Sequence, residues 1–233
     1  MSASAKAAAI GIGAGIYLAY ATRGRSSAFF GPSVWHGDTS RRSLALTFDD
    51  GPSEATPEIL AILRKYNVPA TFFMCGSNVR RLPGIACDVR DAGHEIGNHS
   101  DTHPHFHFKS SVFIKNEFAR AQSTIEDVLG VTPTLLRAPF GVRWFGFRAM
   151  QRKLGLLGVM WTVIARDWRD PAPAVAARVL KHAGNGGILC LHDGRALRPN
   201  PDISSTIAAV REFVPRLLER GYEFQTVSAL LRR

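Results

Sequence analysis

The sequence predicts an α/β fold whose strands form a parallel sheet. Short apolar runs alternate with amphipathic stretches from Ser43 to the C-terminus, as in repeated strand–helix units. The polar clusters of interest follow the carboxyl ends of the predicted strands, the edge at which sites assemble in barrels and open α/β sheets. No glycine-rich phosphate loop is present. We therefore expect a closed or partly closed (β/α) barrel, with an open doubly wound sheet as the alternative.

Apolar periodicity and the residues that begin or end helices predict the order of elements. Thr56 followed by Pro57 indicates a helix N-cap and first turn, Gly93 and Gly130 are expected to end helices, and Pro215 to kink or delay the last helix. In chain order the pattern predicts a strand at 44–48, a helix at 56–66, a strand at 70–74, a helix at 82–91, a strand at 95–98, a helix at 112–129, a strand at 134–138, a helix at 147–154, a strand at 157–163, a helix at 173–182, a strand at 187–191, a helix at 205–220 and a strand at 224–227.

The N-terminus differs in composition from the rest of the chain. In residues 1–25, Lys6 precedes a run of about fourteen apolar or small residues, and an Ala-x-Ala pattern ends at Ala21. This pattern is typical of a secretory signal, and the run is short for a spanning helix, which needs about 20 residues. We expect an exported, periplasmic or envelope-associated protein with a signal or a membrane anchor, or alternatively a cytoplasmic protein with a frayed tail. Residues 26–42 are expected to be a linker into a single domain at 43–233.

Charge and cysteine content exclude some classes of protein. The formal net charge is +10, but no basic run is interleaved with aromatic residues and no nucleic-acid motif is present, so nucleic acid is not an expected partner. The charge indicates a basic solvated surface or attraction to an anionic polymer or membrane. Cys75, Cys87 and Cys190 form no Cys-x-x-Cys pattern, and we expect no disulfide. No feature indicates an obligate protein partner.

Two adjacent carboxylates give the strongest local signal. Asp49 and Asp50 lie in the run Thr-Phe-Asp-Asp-Gly-Pro, at the end of an apolar strand and before a sharp turn. Adjacent carboxylates repel each other unless a cation or an arginine stabilises them. The alternative interpretation is an ordinary Asp-Gly-Pro turn with a side-chain cap.

A pair of histidines four residues apart follows a different strand. His99 and His103 would meet on one face of a helical turn, the spacing that lets two imidazoles share a metal ion. The alternative is a histidine-rich surface loop, because His105 and His107 lie just beyond. Asp50 is the natural third ligand. Two imidazoles and one carboxylate suit zinc, and also cobalt, nickel or iron(II).

Three further strand ends carry ionisable residues. His192 follows the strand at 187–191, where a lone histidine is ordinarily structural, and Asp167-Trp168 lies beyond the strand at 157–163. A carboxylate beside an imidazole raises its pKa and fixes its orientation. Arg137 ends another strand, and a buried arginine needs a carboxylate partner, for which Asp49 is available.

Taken in order, these blocks resemble a known family. The set Thr-Phe-Asp-Asp-Gly-Pro, His-Ser-x-x-His, Arg-x-Pro-Phe, Asp-Trp and Leu-His-Asp is similar to that of the polysaccharide deacetylases, also called NodB-homology or carbohydrate esterase family 4 domains. The resemblance runs from about Ser43 to the C-terminus. It implies a distorted (β/α) barrel and a metal-dependent hydrolase that removes N-acetyl groups from the amino sugars of a polysaccharide, with peptidoglycan N-acetylglucosamine preferred and chitin-like oligosaccharide next.

The resemblance also implies a role for each site residue. These expected roles are metal ligation by Asp50, His99 and His103, general base catalysis by Asp49, positioning of Asp49 by Arg137, general acid catalysis by His192, tuning of that acid by Asp167, oxyanion binding by the backbone N–H of Phe140, and substrate binding by Trp168 and Leu191. Two positions depart from the family pattern, namely Ile164 in place of an aspartate and Cys190 in place of a leucine. Neither change removes an expected ligand or proton-transfer group.

Three alternative functions follow from the same residues. The first keeps the fold and acts on formylated or acetylated lipid-linked sugars or on small cyclic amides, which the N-terminal apolar segment makes credible through membrane association. The second is a non-catalytic carbohydrate-binding relic, which predicts damage in the ligand or acid–base set. The third, a zinc peptidase, is disfavoured because the sequence has no His-Glu-x-x-His motif.

Overall fold

The computed structural model describes residues 3–232. The strands are β1 (Ser33–Val34), β2 (Ser43–Asp49), β3 (Thr71–Met74), β4 (Glu95–Asn98), β5 (Leu135–Leu136), β6 (Leu157–Val159), β7 (Val163–Ile164), β8 (Gly187–His192) and β9 (Glu223–Gln225). The helices are α1 (Ala3–Arg23), α2 (Thr56–Tyr66), α3 (Gly76–Arg81), α4 (Pro83–Asp91), α5 (Ser111–Leu129), α6 (Phe147–Leu154), α7 (Ala172–His182), α8 (Ser204–Glu219) and α9 (Val227–Leu231), and a 3₁₀ turn covers Pro139–Gly141.

The strands form one curled parallel sheet. Its order is β1-β6-β5-β4-β3-β2-β8-β7, with β9 pairing to β2 beside this path, and the pairings between these strands are all parallel. Since β1 and β7 are the two ends of the path, the barrel is only partly closed. The predicted fold class, a distorted (β/α) barrel, is confirmed.

Strand alternation divides the apolar residues between two layers. On β2, Leu44, Leu46 and Phe48 belong to the main core, together with buried residues of α2, α7 and α8. Ala45 instead joins a smaller cluster inside the curled sheet, with apolar residues of α9. Because successive side chains of a strand point to opposite faces, Asp49 belongs to the inner set and lies at the carboxyl mouth of the barrel.

The predicted strand at 157–163 is two strands. β6 pairs with β5 and β1, whereas β7 pairs with β8 at the other end of the sheet. At the break, the backbone carbonyls of Val159 and Met160 accept hydrogen bonds from the Arg137 guanidinium at 3.2 and 3.3 Å. The apolar run therefore crosses the barrel mouth instead of continuing as one strand.

Helix ends agree with the sequence signals in most cases. Gly130 adopts the expected left-handed conformation after α5, with φ of 66°, and Pro215 lies inside α8. Thr56 is not the N-cap of α2 but its first residue. Its hydroxyl accepts a hydrogen bond from the Ser53 N–H at 2.8 Å and donates to the Asp193 carboxyl at 2.7 Å.

The segment expected to be a linker packs against the domain. Within residues 26–42, β1 pairs with β6, and Phe30 is buried. Before it, α1 covers most of the expected leader, and its end is fixed where the Arg143 N–H donates to the Thr22 carbonyl at 3.0 Å. Between residues 3 and 232, no helix is both long and apolar enough to cross a bilayer. Met1, Ser2 and Arg233 lie outside the described residues.

Candidate active site

The predicted site residues converge at the carboxyl mouth of the barrel. Asp49 ends β2 and His192 ends β8, and the two are register partners on neighbouring strands. His99 follows β4 directly, and Arg137 follows β5. The residues come from segments up to 143 positions apart in the chain, and the parallel sheet brings them together because its strands all end at the same edge.

Asp50, His99 and His103 form a compact cluster. The Asp50 Oδ1 atom lies 3.3 Å from His99 Nε2 and 3.0 Å from His103 Nε2. Their side chains are between 2% and 9% exposed, so little water reaches the atoms between them. His99 Nδ1 lies 2.8 Å from the Arg137 carbonyl, and Asp50 Oδ2 accepts a hydrogen bond from the Ala196 N–H at 2.8 Å.

The two histidines do not meet on a helical turn. Residues 99–103 form a loop in which Ser100 and His103 adopt left-handed backbone conformations, with φ of 67° and 54°. Asp50 is also left-handed, with φ of 74°. The spacing of four therefore brings the imidazoles together through a tight loop and not through helical periodicity. Such strained backbone is concentrated at functional sites in proteins.

The chemistry of this cluster fits a divalent cation. If His99 Nδ1 donates its proton to the Arg137 carbonyl, then His99 Nε2 presents a lone pair to Asp50. Asp50 Oδ1 is buried, and no described residue meets the full geometry of a hydrogen-bond donor to it. In the metal-free protein the imidazoles can instead donate to Asp50. Burial alone would raise the pKa of Asp50, but hydrogen bonds from His103 and His99 hold that pKa well below the ordinary value, so the carboxylate is ionised. Lewis bases that converge in this way are stabilised by a cation between them.

Asp49 and Arg137 form a buried ion pair beside the cluster. Arg137 Nη1 donates to Asp49 Oδ1 at 2.7 Å, and the two side chains are 0% and 5% exposed. The same nitrogen donates to the Thr47 hydroxyl at 2.7 Å, and the guanidinium lies over the Phe73 ring at 4.2 Å. Breaking such a buried pair on one side costs about 3–5 kcal/mol, because it leaves an uncompensated charge. Because Arg137 holds Asp49 Oδ1, the other oxygen, Oδ2, remains on the cavity side.

His192 and Asp167 form a second ion pair, at the end of the strand next to the one that carries Asp49. His192 Nδ1 lies 2.9 Å from Asp167 Oδ1, and Asp167 Oδ2 accepts hydrogen bonds from the His192 N–H at 2.8 Å and the Thr206 hydroxyl at 2.6 Å. Burial alone would lower the pKa of His192, but the Asp167 carboxylate, with help from Asp50 and Asp49, raises it to about 9. The imidazole is therefore protonated at neutral pH in the metal-free protein.

A cavity of about 450 Å³ opens above these groups. Trp168 forms part of its wall, half exposed, with its ring 5.0 Å from the His192 ring at an interplanar angle of 81°. Phe140 also lines the cavity, in a left-handed conformation with φ of 57°, and its ring stacks on His105 at 3.7 Å. Such a cavity, with apolar walls and a few convergent polar groups, is typical of a small-ligand or sugar site.

Leu191 was expected in this cavity, but the structure contradicts that prediction. Its side chain is fully buried in the main core on the helix side of the sheet. Cys190 and His192, one residue to either side, line the cavity instead. The reason is the alternation of side chains along β8, which directs Leu191 away from the face that carries His192.

Several other cavity residues were given no binding role by the sequence. The additional lining residues are Arg23, Gly141, Trp161, Ile164, Cys190 and Arg195. The period-two pattern counted back from His192 would have identified Cys190. No local signal identifies Arg23, because it follows the apolar leader and reaches the cavity only through the packing of the end of α1, where its guanidinium lies 3.5 Å from the Phe140 carbonyl.

A family model, curated relatives and a solved structure all relate this chain to the same group of proteins. A family model for polysaccharide deacetylase matches residues 36–159. A peptidoglycan-N-acetylglucosamine deacetylase of Bacillus cereus is 36% identical over 203 residues, which covers 85% of this chain and 92% of that protein. A chitooligosaccharide deacetylase of Bradyrhizobium sp. is 34% identical over 205 residues, 84% of this chain and 94% of that protein. The solved structure of a CE4 family pseudoenzyme from Bacillus anthracis matches with a TM-score of 0.78 and 28% identity, over 86% of this chain and 69% of that chain.

Proposed function

The chain belongs to the polysaccharide deacetylase family, and from this we propose that it is a metal-dependent hydrolase that removes acetyl groups from the N-acetylated amino sugars of peptidoglycan. One observation carries the proposal. The cluster of Asp50, His99 and His103 lines the same cavity as a carboxylate held by an arginine and an imidazole held by a carboxylate. This arrangement has the parts that metal-assisted amide hydrolysis needs: a Lewis-acid site, a base and an acid.

The cluster would hold a divalent cation, with zinc as our first choice because of its two imidazoles and one carboxylate. A bound cation supplies Lewis acidity, which polarises a carbonyl group and lowers the pKa of water. The His99–Arg137 carbonyl contact and the Ala196–Asp50 hydrogen bond would orient two of the ligands. Such outer contacts support ligand geometry in metal sites.

Asp49 would act as the general base. Arg137 holds Asp49 Oδ1, so Oδ2 is the oxygen available to the cavity. As the oxygen of a water molecule attacks the acetyl carbonyl carbon, Asp49 takes a proton from that water. The negative charge that develops on the carbonyl oxygen would be stabilised in part by the backbone N–H of Phe140. Arg137 acts here as a positioning residue.

His192 would act as the general acid. Because Asp167 accepts the hydrogen bond from His192 Nδ1, the proton on His192 Nε2 faces the cavity. When the carbon–nitrogen bond breaks, that proton passes to the amine, and acetate and the free amino sugar are the products. An amine is a very poor leaving group unless it is protonated, so the raised pKa of His192, about 9, suits this role at neutral pH.

Two arginines favour peptidoglycan over chitin as the substrate. Arg23 and Arg195 both line the cavity, and the chain carries a formal net charge of +10. Peptidoglycan carries carboxylates on its stem peptides and on lactyl groups that bear no peptide, whereas chitin is neutral. Electrostatic attraction therefore favours the anionic polymer.

The proposed substrate implies a location at the cell envelope. Ile16, Tyr17 and Tyr20 on α1 are 66%, 55% and 48% exposed, which supports a membrane-surface contact by the N-terminal segment. Flotation of the full chain with anionic vesicles tests this contact. Failure to float, with the vesicles intact, would count against it.

The exposed α1 residues also favour one alternative substrate class, an N-formylated or N-acetylated sugar linked to a lipid. Release of formate from a lipid-linked sugar, without release of acetate from peptidoglycan, would support it. The relic interpretation has less support. The family includes a pseudoenzyme, but in this chain the residues that we propose as ligands, base and acid are all present and line one cavity.

Acetate release from peptidoglycan and from chitooligosaccharide tests the proposal directly. We expect zinc-loaded protein to release acetate, and Asp50→Ala to lose both turnover and the zinc bound by the Asp50 cluster. Asp170→Asn is a matched control, because Asp170 pairs with Arg169 and Arg178 outside the cavity. Activity retained by metal-free Asp50→Ala would contradict the assignment.

A further inference from the structure

A second group of potential metal ligands lies in the same cavity, separate from the Asp50 cluster. One ligand atom each from Asp49, Cys190 and His192 lies within 4.8 Å of the others. All three residues line the cavity, so an ion from solvent can reach them. The mechanism proposed above uses Asp49 and His192 but gives no role to Cys190.

The orientation of each side chain leaves one ligand atom available. Asp49 Oδ1 is held by Arg137, and Oδ2 lies 3.5 Å from Cys190 Sγ. His192 Nδ1 is held by Asp167, which leaves Nε2 for a cation. The available set is therefore one oxygen, one sulfur and one nitrogen atom.

We propose that Asp49 Oδ2, Cys190 Sγ and His192 Nε2 form a second, inhibitory site for a thiophilic divalent cation such as Zn²⁺ or Cd²⁺. Bond lengths of about 2.0–2.3 Å place tetrahedral ligands about 3.3–3.6 Å apart. The Asp49–Cys190 distance is already in that range, and the remaining separations must shorten by at most about 1.5 Å. The fourth position would face the cavity.

The choice of cation follows from the sulfur atom. A thiolate favours Zn²⁺ and Cd²⁺ over hard cations such as Mg²⁺, which prefer oxygen ligands. Binding converts the Cys190 thiol to a thiolate and releases its proton, together with any proton on His192 Nε2. Affinity for the cation therefore increases with pH.

The second site fills after the first. The Arg137 guanidinium, 2.7 Å from Asp49, repels a cation at the second site, whereas no arginine of the part of the chain that the structure describes is paired with Asp50. A cation bound to Asp49 and His192 would occupy the general base and the general acid together. On the basis of the proposed function, metal in excess of one equivalent should therefore inhibit the enzyme that the first equivalent activates.

A cadmium titration of the metal-free full chain tests the site without relying on activity. We expect the first equivalent to bind without a sulfur-to-cadmium charge-transfer band in the ultraviolet, and the second to produce one. Cys190→Ala and Cys190→Val should bind one equivalent and lack the band. Cys87→Ala, which removes a thiol outside the cavity, should keep it. Uptake of the first equivalent by the Cys190 variants reports that they are folded.

Zinc inhibition provides the second measurement. In Cys190→Ala, the zinc concentration that halves activity should rise by at least about tenfold, since loss of an outer contact alone weakens metal affinity by about 10–100-fold. A charge-transfer band that persists in both Cys190 variants, or that never forms in the wild-type chain, overturns the proposal. If the band depends on Cys190 but the chain releases no acetate, the second site stands and the proposed function fails.

Discussion

The pairing of Asp167 with His192 gives the most quantitative prediction. Asp167→Asn preserves the size of the side chain and can still accept hydrogen bonds from His192 and Thr206. It removes the negative charge that raises the His192 pKa. Without that charge, burial becomes the dominant influence, and we expect the pKa of His192 to fall from about 9 to its ordinary value of 6.5 or below.

The magnitude follows from the two pKa values. At pH 7.5, a group with a pKa of about 9 is about 97% protonated, and one with a pKa of 6.5 is about 9% protonated. The acid form of His192 therefore decreases by about tenfold or more in Asp167→Asn. Because the base form accumulates as the pH rises, the loss of activity should be greater at pH 8.5 than at pH 6.

Two assays measure this effect. Titration of the His192 imidazole by NMR in the metal-free protein should give a pKa of about 9 in the wild type and 6.5 or below in the variant. The basic limb of the pH profile of kcat in the zinc enzyme should move to lower pH in the variant. Asp170→Asn is the control, because its carboxylate is outside the cavity and should affect neither result. A variant whose kcat is reduced equally at every pH, with an unchanged His192 pKa, would refute the electrostatic role of Asp167.

Three other substitutions test separate parts of the site. Asp49→Asn should lower kcat by about 10²–10⁴-fold, while the Asp50 cluster still binds one zinc ion. Loss of that zinc would contradict the assignment of Asp49 as the general base. Arg23→Gln should lower kcat/KM for peptidoglycan but leave kcat/KM for chitooligosaccharide unchanged, and an equal loss on both would remove the argument for charge recognition. Burial and the negative charges of Asp50 and Asp49 raise the pKa of Asp193 from its ordinary value to about 7. Between about pH 4 and pH 7, Asp193 is therefore ionised in the unfolded chain but protonated in the folded one, so the free energy of unfolding decreases as the pH rises. The gain in stability of Asp193→Asn over the wild type should therefore increase across this range in urea denaturation of the metal-free protein, and a constant difference would contradict the raised pKa.

Much of the fold could be predicted because local signals agree with the tertiary structure. The helix predicted at 147–154 coincides with α6, and the strand at 95–98 coincides with β4. The carboxylates, imidazoles and Arg137 could be placed at one edge because parallel strands end there. The ion pair between Arg137 and Asp49 was predicted on the ground that a buried arginine needs a carboxylate partner, and the structure contains it.

The features that were missed depend on contacts between distant segments. The break between β6 and β7 leaves no trace in the apolar pattern. The carbonyls at the break accept hydrogen bonds from Arg137, which follows a different strand. The loop at 99–103 has the same histidine spacing as a helical turn, and only its left-handed residues distinguish the two. Leu191 is the exception, because the alternation of side chains counted from His192 already directs it away from the cavity.

Anomalous diffraction from crystals grown with one equivalent of zinc would locate the cation in the barrel mouth. We expect a single strong peak within about 2.0–2.2 Å of Asp50 Oδ1, His99 Nε2 and His103 Nε2. A fully loaded protein whose zinc lies elsewhere, with the Asp50 cluster empty, would contradict the assignment of these three residues as the metal ligands.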